Sequence, residues 1–195
     1  MTSLEKPSQP SRPVQLANFA LSQAAWFAAV LGAAHRMPLP GTAVVLAVIG
    51  WHLAASARPT VEVRLILLVS LIGFFAESVN TLLGNVAYPS GQPFMDFAPY
   101  WIVALWALLA IALNVTLRWL RHRTWLAAGL GAVLGPISFS SGVRLGGAEF
   151  VHPTAALVTL ACVWALLLPA VVRLSIHFDG VAVPEPIHVH AHTHV

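Results

Sequence analysis

Six apolar stretches follow one another along this chain, at about Val14–His35, Thr42–Ala57, Val61–Leu83, Ala98–Leu120, Thr124–Leu145 and Pro153–Ile176. About 20 such residues are what a helix needs to cross the hydrocarbon of a bilayer. In lipid every backbone N–H and C=O must be satisfied inside the segment, so consecutive runs of this kind fold as helices packed on one another. Water is excluded as the solvent of this surface, because only 9% of the residues are charged while 58% are hydrophobic. Soluble domains carry roughly a quarter. The expected fold is an all-α, polytopic transmembrane helical bundle of six spans. It leaves no room in these 195 residues for a separate soluble catalytic domain.

The organisation expected is a disordered, Ser- and Pro-rich tail over 1–13, the transmembrane domain over 14–178, and a His-rich disordered tail over 179–195. Val14–Ala34 exceeds the usual 7–15-residue core of a cleaved signal peptide and is read as a span. Met37-Pro38-Leu39-Pro40-Gly41 reads as a tight turn between the first two spans, and Arg121-His122-Arg123 as a basic turn before the fifth. One side of the bundle collects eight basic residues, Lys6, Arg12, Arg58, Arg64, Arg118, Arg121, Arg123 and Arg173, against Arg36 and Arg144 on the other. That asymmetry places both termini in the cytoplasm. The net charge of +3 is spread over short turns and forms no stripe, which argues against a nucleic-acid partner.

Gly73, Ser78, Leu83 and Gly84 of the third span match Gly135, Ser140, Leu145 and Gly146 of the fifth at a constant offset. This points to a weak internal repeat, with spans two–three and four–five related by an axis along the membrane normal, as in some transporters. Gly131 and Gly135 form a G-x-x-x-G pair, which admits a close helix neighbour. Pro136 should kink the fifth span. Cys162 reads as a buried small hydrophobe and His52 as a satisfied packing residue rather than a metal ligand.

Ionisable side chains inside a membrane are costly and mark candidate sites. Glu77 lies sixteen residues into the third span, about 24 Å along its axis, with Asn80 and Thr81 on the same helical face. Ser138, Ser141 and Arg144 of the fifth span reach a comparable depth, and Glu77 and Arg144 are the opposite charges at that level. They are expected to pair, directly or through water, either as a register device or as part of a pocket lined by Glu77, Asn80, Trp101, Ser140 and Arg144. A second polar cluster, Asn18, Gln23 and Asn114, lies nearer the cytoplasm and reads as interhelical packing. His188, His190, His192 and His194 alternate in the C-terminal tail. They present imidazoles on one side of an extended chain and could hold zinc, copper or nickel, or form a tail with incidental metal affinity. No phosphate-binding, zinc-protease or nucleophile-elbow signature is present, and no cofactor is expected.

Four stretches carry a family resemblance: Asn18 with Gln23-Ala24-Ala25-Trp26-Phe27 to Val30; Pro99-Tyr100-Trp101 with Leu105-Trp106, Leu113-Asn114 and Leu117-Arg118-Trp119-Leu120; Gly135-Pro136 with Ser138, Gly142 and Leu145-Gly146; and Trp164 with Pro169. In their order and spacing, from about Val14 to Arg173, the chain resembles a family of uncharacterised inner-membrane proteins of Gram-negative bacteria, domain of unknown function 2878. The resemblance implies a compact helical membrane domain with no established activity, whose genes often lie near those of enzymes that modify membrane fatty acids. The function expected is therefore a non-enzymatic membrane component that binds or moves a lipid or other amphipathic molecule between its helices. The alternatives are an intramembrane enzyme or enzyme subunit in lipid modification, with Glu77 as general acid or base, and a structural partner that assembles other membrane proteins. Membrane lipids are the expected partners, with lipid-modifying membrane enzymes as a further class.

Overall fold

The computed structural model of the chain describes residues 10–182. Among them six α-helices follow in order: α1 (Arg12–Ala34), α2 (Pro38–Ala55), α3 (Pro59–Leu82), α4 (Tyr100–Leu113), α5 (Thr124–Arg144) and α6 (Pro153–His177). Two two-residue strands, β1 (Val86–Ala87) and β2 (Glu149–Phe150), and a 3-10 turn at Arg118–Leu120 complete it. Four helices, α1, α2, α3 and α6, open on a proline in the first two positions, where a missing N–H costs nothing and a fixed φ favours the helix. This is why Pro38-Leu39-Pro40-Gly41, expected as part of a turn, begins α2 instead; the turn itself comes just before it, where Arg36 takes φ 58°.

Five of the helices, all but α4, are long and apolar enough to cross a membrane. The chain is thus built as a multi-pass membrane protein, and its large outward-facing residues, such as Leu67, Phe75 and Leu166, are those of a lipid-facing surface. The expected fourth span, Ala98–Leu120, is shorter than its apolar run: α4 has 14 residues, about 21 Å of helix. It stops at Asn114, and the chain turns so that Arg118 and Arg121 can reach inward to Asp179. α4 is also the centre of the bundle. It packs against α1, α2, α3 and α6, and nine of its 14 residues are buried, which explains why its sequence is apolar all round.

The glycines matched in the sequence, Gly84 and Gly146, stand at like places in the fold. α3 and α5 both end on a glycine in the left-handed region, Gly84 (φ 68°) and Gly146 (φ 84°). Each then leads into a short strand and a returning helix, and β1 and β2 pair antiparallel with Val86 opposite Phe150. The same order of elements, helix–strand–helix, thus occurs in α3–β1–α4 and in α5–β2–α6. Between them, Trp106 of α4 stacks on Trp164 of α6, ring centroids 4.8 Å apart. A Cβ added to Gly73 of α3 would overlap the Trp106 ring, and one added to Gly135 of α5 would overlap Trp164. The G-x-x-x-G pair is used inside the chain: Gly131 and Gly135 let α6 approach α5 at Trp164. α5 runs as one helix through Pro136. Cys162 is exposed rather than buried, on the outward side of α6.

The domain is longer at both ends than the 14–178 expected. α1 begins at Arg12, and the chain beyond α6 is packed as far as Ala182, with Gly180 and Ala182 buried. The polar residue taken as the start of a loose tail, Asp179, is an anchor: Arg118 and Arg121 both bond its carboxylate. The four tail histidines, His188, His190, His192 and His194, lie outside the described residues.

Candidate functional site

α3 carries two buried carboxyls, and the bundle treats them in opposite ways. Glu62 stands in the first turn of the helix and is fully buried. Its oxygens accept from Asn114 Nδ2 at 2.6 Å and from the Gly180 N–H at 2.6 Å, and Oε2 lies 2.8 Å from His52 Nε2. Asn114 Nδ2 also donates to the Phe178 carbonyl at 2.8 Å, and its Oδ1 accepts from Arg121 at 2.6 Å. Arg121 donates to the Asp179 carboxylate at 2.8 Å, Arg118 Nη1 donates to it at 3.2 Å, and Arg58 bonds the Asp179 carbonyl. The charge-assisted bonds of Glu62 and Arg121, at 2.6–2.8 Å, are the strong ones. Together they tie α2, α3, α4 and the segment after α6 into one closed network. Burial alone would raise the Asp179 pKa, but the Arg121 hydrogen bond, the Ala182 N–H and the charges of Arg121 and Arg118 hold it below the ordinary carboxylate value.

Glu77, four turns further along, is 1% exposed. Trp106 Nε1 donates to its Oε1 at 3.3 Å, and Tyr88 Oη and Asn80 Nδ2 donate to Oε2 at 3.4 and 3.5 Å. These contacts lie at the long limit for hydrogen bonds, so the carboxyl is surrounded by donors without being saturated. Among the described residues no Arg, Lys or His side chain makes an ion pair with it. The Trp–Trp stack fixes the Trp106 indole, which is how a ring on α4 comes to present its N–H to an acid on α3.

Glu77 opens onto a cleft of about 290 Å³ between α1, α4 and α5. Phe19, Trp26 and Val30 of α1 form one wall, Trp101, Leu105 and Trp106 of α4 the floor, and Phe139 and Gly142 of α5 the other wall. The polar groups lining it are few: Glu77 and Tyr88 toward one end, Ser22, Gln23 and Ser138 along it, and Thr116 at the far end. Ser22 Oγ is buried without a hydrogen-bond partner among the described residues. A mostly apolar cavity with a few polar groups that can fix an orientation is the usual form of a ligand site.

The structure brings together only part of the expected constellation. Glu77, Asn80 and Trp101 meet at the same end of the cleft, Asn80 through its bond to Glu77 and Trp101 as floor. Thr81 turns back to the Glu77 carbonyl of its own helix. The expected Glu77–Arg144 pair is not formed. Arg144 is the last residue of α5 and is exposed. α5 packs principally on α6, and a long cation at a helix end reaches the headgroups more cheaply than it can be buried. Ser140 does not line the cleft; Ser138 does. The second cluster divides. Asn114 belongs to the Glu62 network, Asn18 accepts a 3.4 Å bond from Thr116, and Gln23 is exposed along the cleft. His52 is satisfied by Glu62. Sequence reading missed Glu62, Tyr88, Trp106 as a donor, and Asp179. The available signal was that a buried acid demands donors and that Trp and Tyr supply them.

The family model for the protein of unknown function DUF2878 matches residues 15–170. The chain belongs to this family. No curated protein and no solved structure matches it. The DUF2878 segment contains both α3 carboxyls, Tyr88, Asn114 and every residue that lines the cleft, while Asp179 falls beyond it.

Proposed function

We propose that this DUF2878 protein is a six-span protein of the Gram-negative inner membrane, with both termini cytoplasmic, that binds or moves a lipid or other amphipathic molecule in the α1–α4–α5 cleft. The observation that carries the reading is the contrast on α3. Glu62 is saturated by contacts of 2.6–2.8 Å, whereas Glu77 is held loosely at 3.3–3.5 Å and faces the cleft. A carboxyl kept in apolar surroundings without full satisfaction is costly to the fold, and a ligand that completes its bonding gives that cost a use. Asn80 and Trp101 belong to the same end of the site, and Tyr88 and Trp106 join them. The orientation is supported by the excess of basic residues at the end where Arg58, Arg118, Arg121 and Asp179 meet. By the same alternation Glu77 lies toward the outer leaflet. Lipid-modifying membrane enzymes are the partners this reading favours.

Gly142 gives the test. It lines the cleft, and a Cβ there meets nothing within 4 Å, so Gly142→Leu fills the cavity without disturbing its walls. In nanodiscs, ω-bromododecanol should quench the cleft tryptophans saturably in the wild type and lose the saturable component in Gly142→Leu. Equal quenching in both proteins would remove the cleft as the binding site.

A second reading, an intramembrane enzyme or subunit in lipid modification, draws on Glu77 and Tyr88, two proton-bearing groups 3.4 Å apart in the cavity. Conversion of the bound lipid, rather than its unchanged recovery, is the result that would select it.

A further inference from the structure

The charge inventory of the cleft restricts its ligand. Glu77 is the one carboxyl among the lining residues, and no Lys, Arg or His is among them. An anionic headgroup would find no counter-charge there and would sit against a carboxyl, which like-charge repulsion in a low-dielectric site disfavours. The surroundings of Glu77 are aromatic. The Trp106 indole donates to it, Tyr88 lies 3.4 Å from it, and Tyr88 meets Trp101 edge-to-face with ring centroids 5.9 Å apart. Trp101 is held in place by its Nε1, which donates to the Ser90 carbonyl at 3.1 Å. Both faces of the Trp106 ring are covered, by Trp164 and by Gly73, so an ammonium group is favoured by the Glu77 carboxyl together with the Tyr88 and Trp101 rings that line the cleft.

The rest of the cleft sets the size of the molecule. Its volume of about 290 Å³ is at the lower edge of ligand pockets. The α1 wall, from Phe19 to Val30, runs for about 16 Å at the helical rise of 1.5 Å per residue. That is the reach of one extended dodecyl-length chain, and the walls along it are Phe19, Trp26, Leu105 and Leu109.

We infer that the cleft takes a single-chain amphiphile with a cationic, ammonium-type head, the head lodged among Glu77, Tyr88 and Trp101 and the chain lying between α1 and α5. The inference rests on the proposed binding function and names its ligand class. It excludes fatty acids and other anionic single-chain lipids as the preferred occupants.

The test uses the full chain in nanodiscs of an uncharged galactolipid, which removes attraction by a charged surface. Three quenchers of one chain length are compared: ω-bromododecyl trimethylammonium, ω-bromododecanol and ω-bromododecanoate. The cation should bind at least about tenfold more tightly than the alcohol and the carboxylate more weakly than either. Glu77→Gln should remove the preference for the cation and leave the alcohol unchanged. The wild-type series needs no variant, so the inference stays testable if Glu77→Gln folds poorly. Equal binding of the three, all lost in Gly142→Leu, would keep the cleft and overturn the cationic head, as would tightest binding of the carboxylate or a cation preference that survives Glu77→Gln. Quenching that Gly142→Leu does not alter would overturn the cleft itself.

Discussion

Trp106 and Trp164 lie face to face, 4.8 Å apart and 19° from parallel, and each presses its outer face on a glycine of another helix. The order Gly73, Trp106, Trp164, Gly135 crosses α3, α4, α6 and α5 in one layer. Interhelical association in lipid relies on close packing and on small residues that permit it. Gly73→Ala and Gly135→Ala should each cost about 1–3 kcal/mol by overpacking, seen as a lower denaturation midpoint in detergent. Gly142→Ala, which meets open space, should be neutral or stabilising by up to about 1 kcal/mol. Gly73→Ala with Trp106→Phe should recover part of the loss if ring and glycine are coupled; three equal glycine effects would remove the layer as a stability element.

The two α3 carboxyls should separate under the same substitution. Glu62→Gln places an amide N–H₂ among groups that are already donors, Asn114 Nδ2 and the Gly180 N–H. Breaking a buried, fully bonded charge of this kind costs about 3–5 kcal/mol, so folded yield should collapse. Glu77→Gln exchanges contacts of 3.3–3.5 Å, too long to be worth more than about 1 kcal/mol together. Its fold should survive while ligand binding changes. Similar losses in both variants would make Glu77 another structural node.

Helix number and class were legible in the chain because apolar length acts locally; of the prolines that open helices, Pro153 was read as a start, whereas Pro38 read as part of a turn and Pro59 fell outside the expected third span. What could not be read was which helices are neighbours. Glu77 and Arg144 match in depth and charge, but depth says nothing of rotation or adjacency, and α5 spends its packing face on α6. The repeat-related glycines were visible at constant offset; their tryptophan partners were not, because the offset from Gly73 to Trp106 differs from that between Gly135 and Trp164. Asp179 reads as the first residue of a polar tail until Arg118 and Arg121, some 60 residues earlier, are placed beside it.

The proposed topology has a direct readout. Reporter fusions at Ser8, Gly91 and Glu185 should read cytoplasmic, external and cytoplasmic. Gly91 lies between α3 and α4, in a segment without Lys or Arg; an internal signal there with external signals at Ser8 and Glu185 would invert the protein. A Gly91 signal on the same side as Ser8 and Glu185 would mean that α3 does not carry the chain across, and the six-span arrangement would fall.

The clamp on Asp179 predicts which part of the chain after α6 the fold needs and how that part responds to acid. The segment Phe178–Ala182 supplies a carbonyl to Asn114, an N–H to Glu62 and a carboxylate to two arginines. Truncation after Ala182 should therefore leave the denaturation midpoint unchanged, whereas truncation after His177 should unfold the arginine-bearing end, leaving Glu62, Arg118 and Arg121 buried without these partners. Asp179 has its pKa lowered in the folded protein from an ordinary value of 3.8. A depressed folded pKa means that the unfolded chain binds the proton more readily. The carboxylate then stabilises the fold at full strength above the ordinary value and loses that contribution as pH falls through the folded one. Asp179→Asn should consequently be less stable than the wild type at neutral pH, and the gap should close as the pH is taken below about 4. The measurement is the difference in denaturation midpoint between the two proteins across that range. A gap that stays constant with pH would show that the side chain acts through shape and its bonds to Val181 and Ala182 N–H, rather than through charge on Arg118 and Arg121.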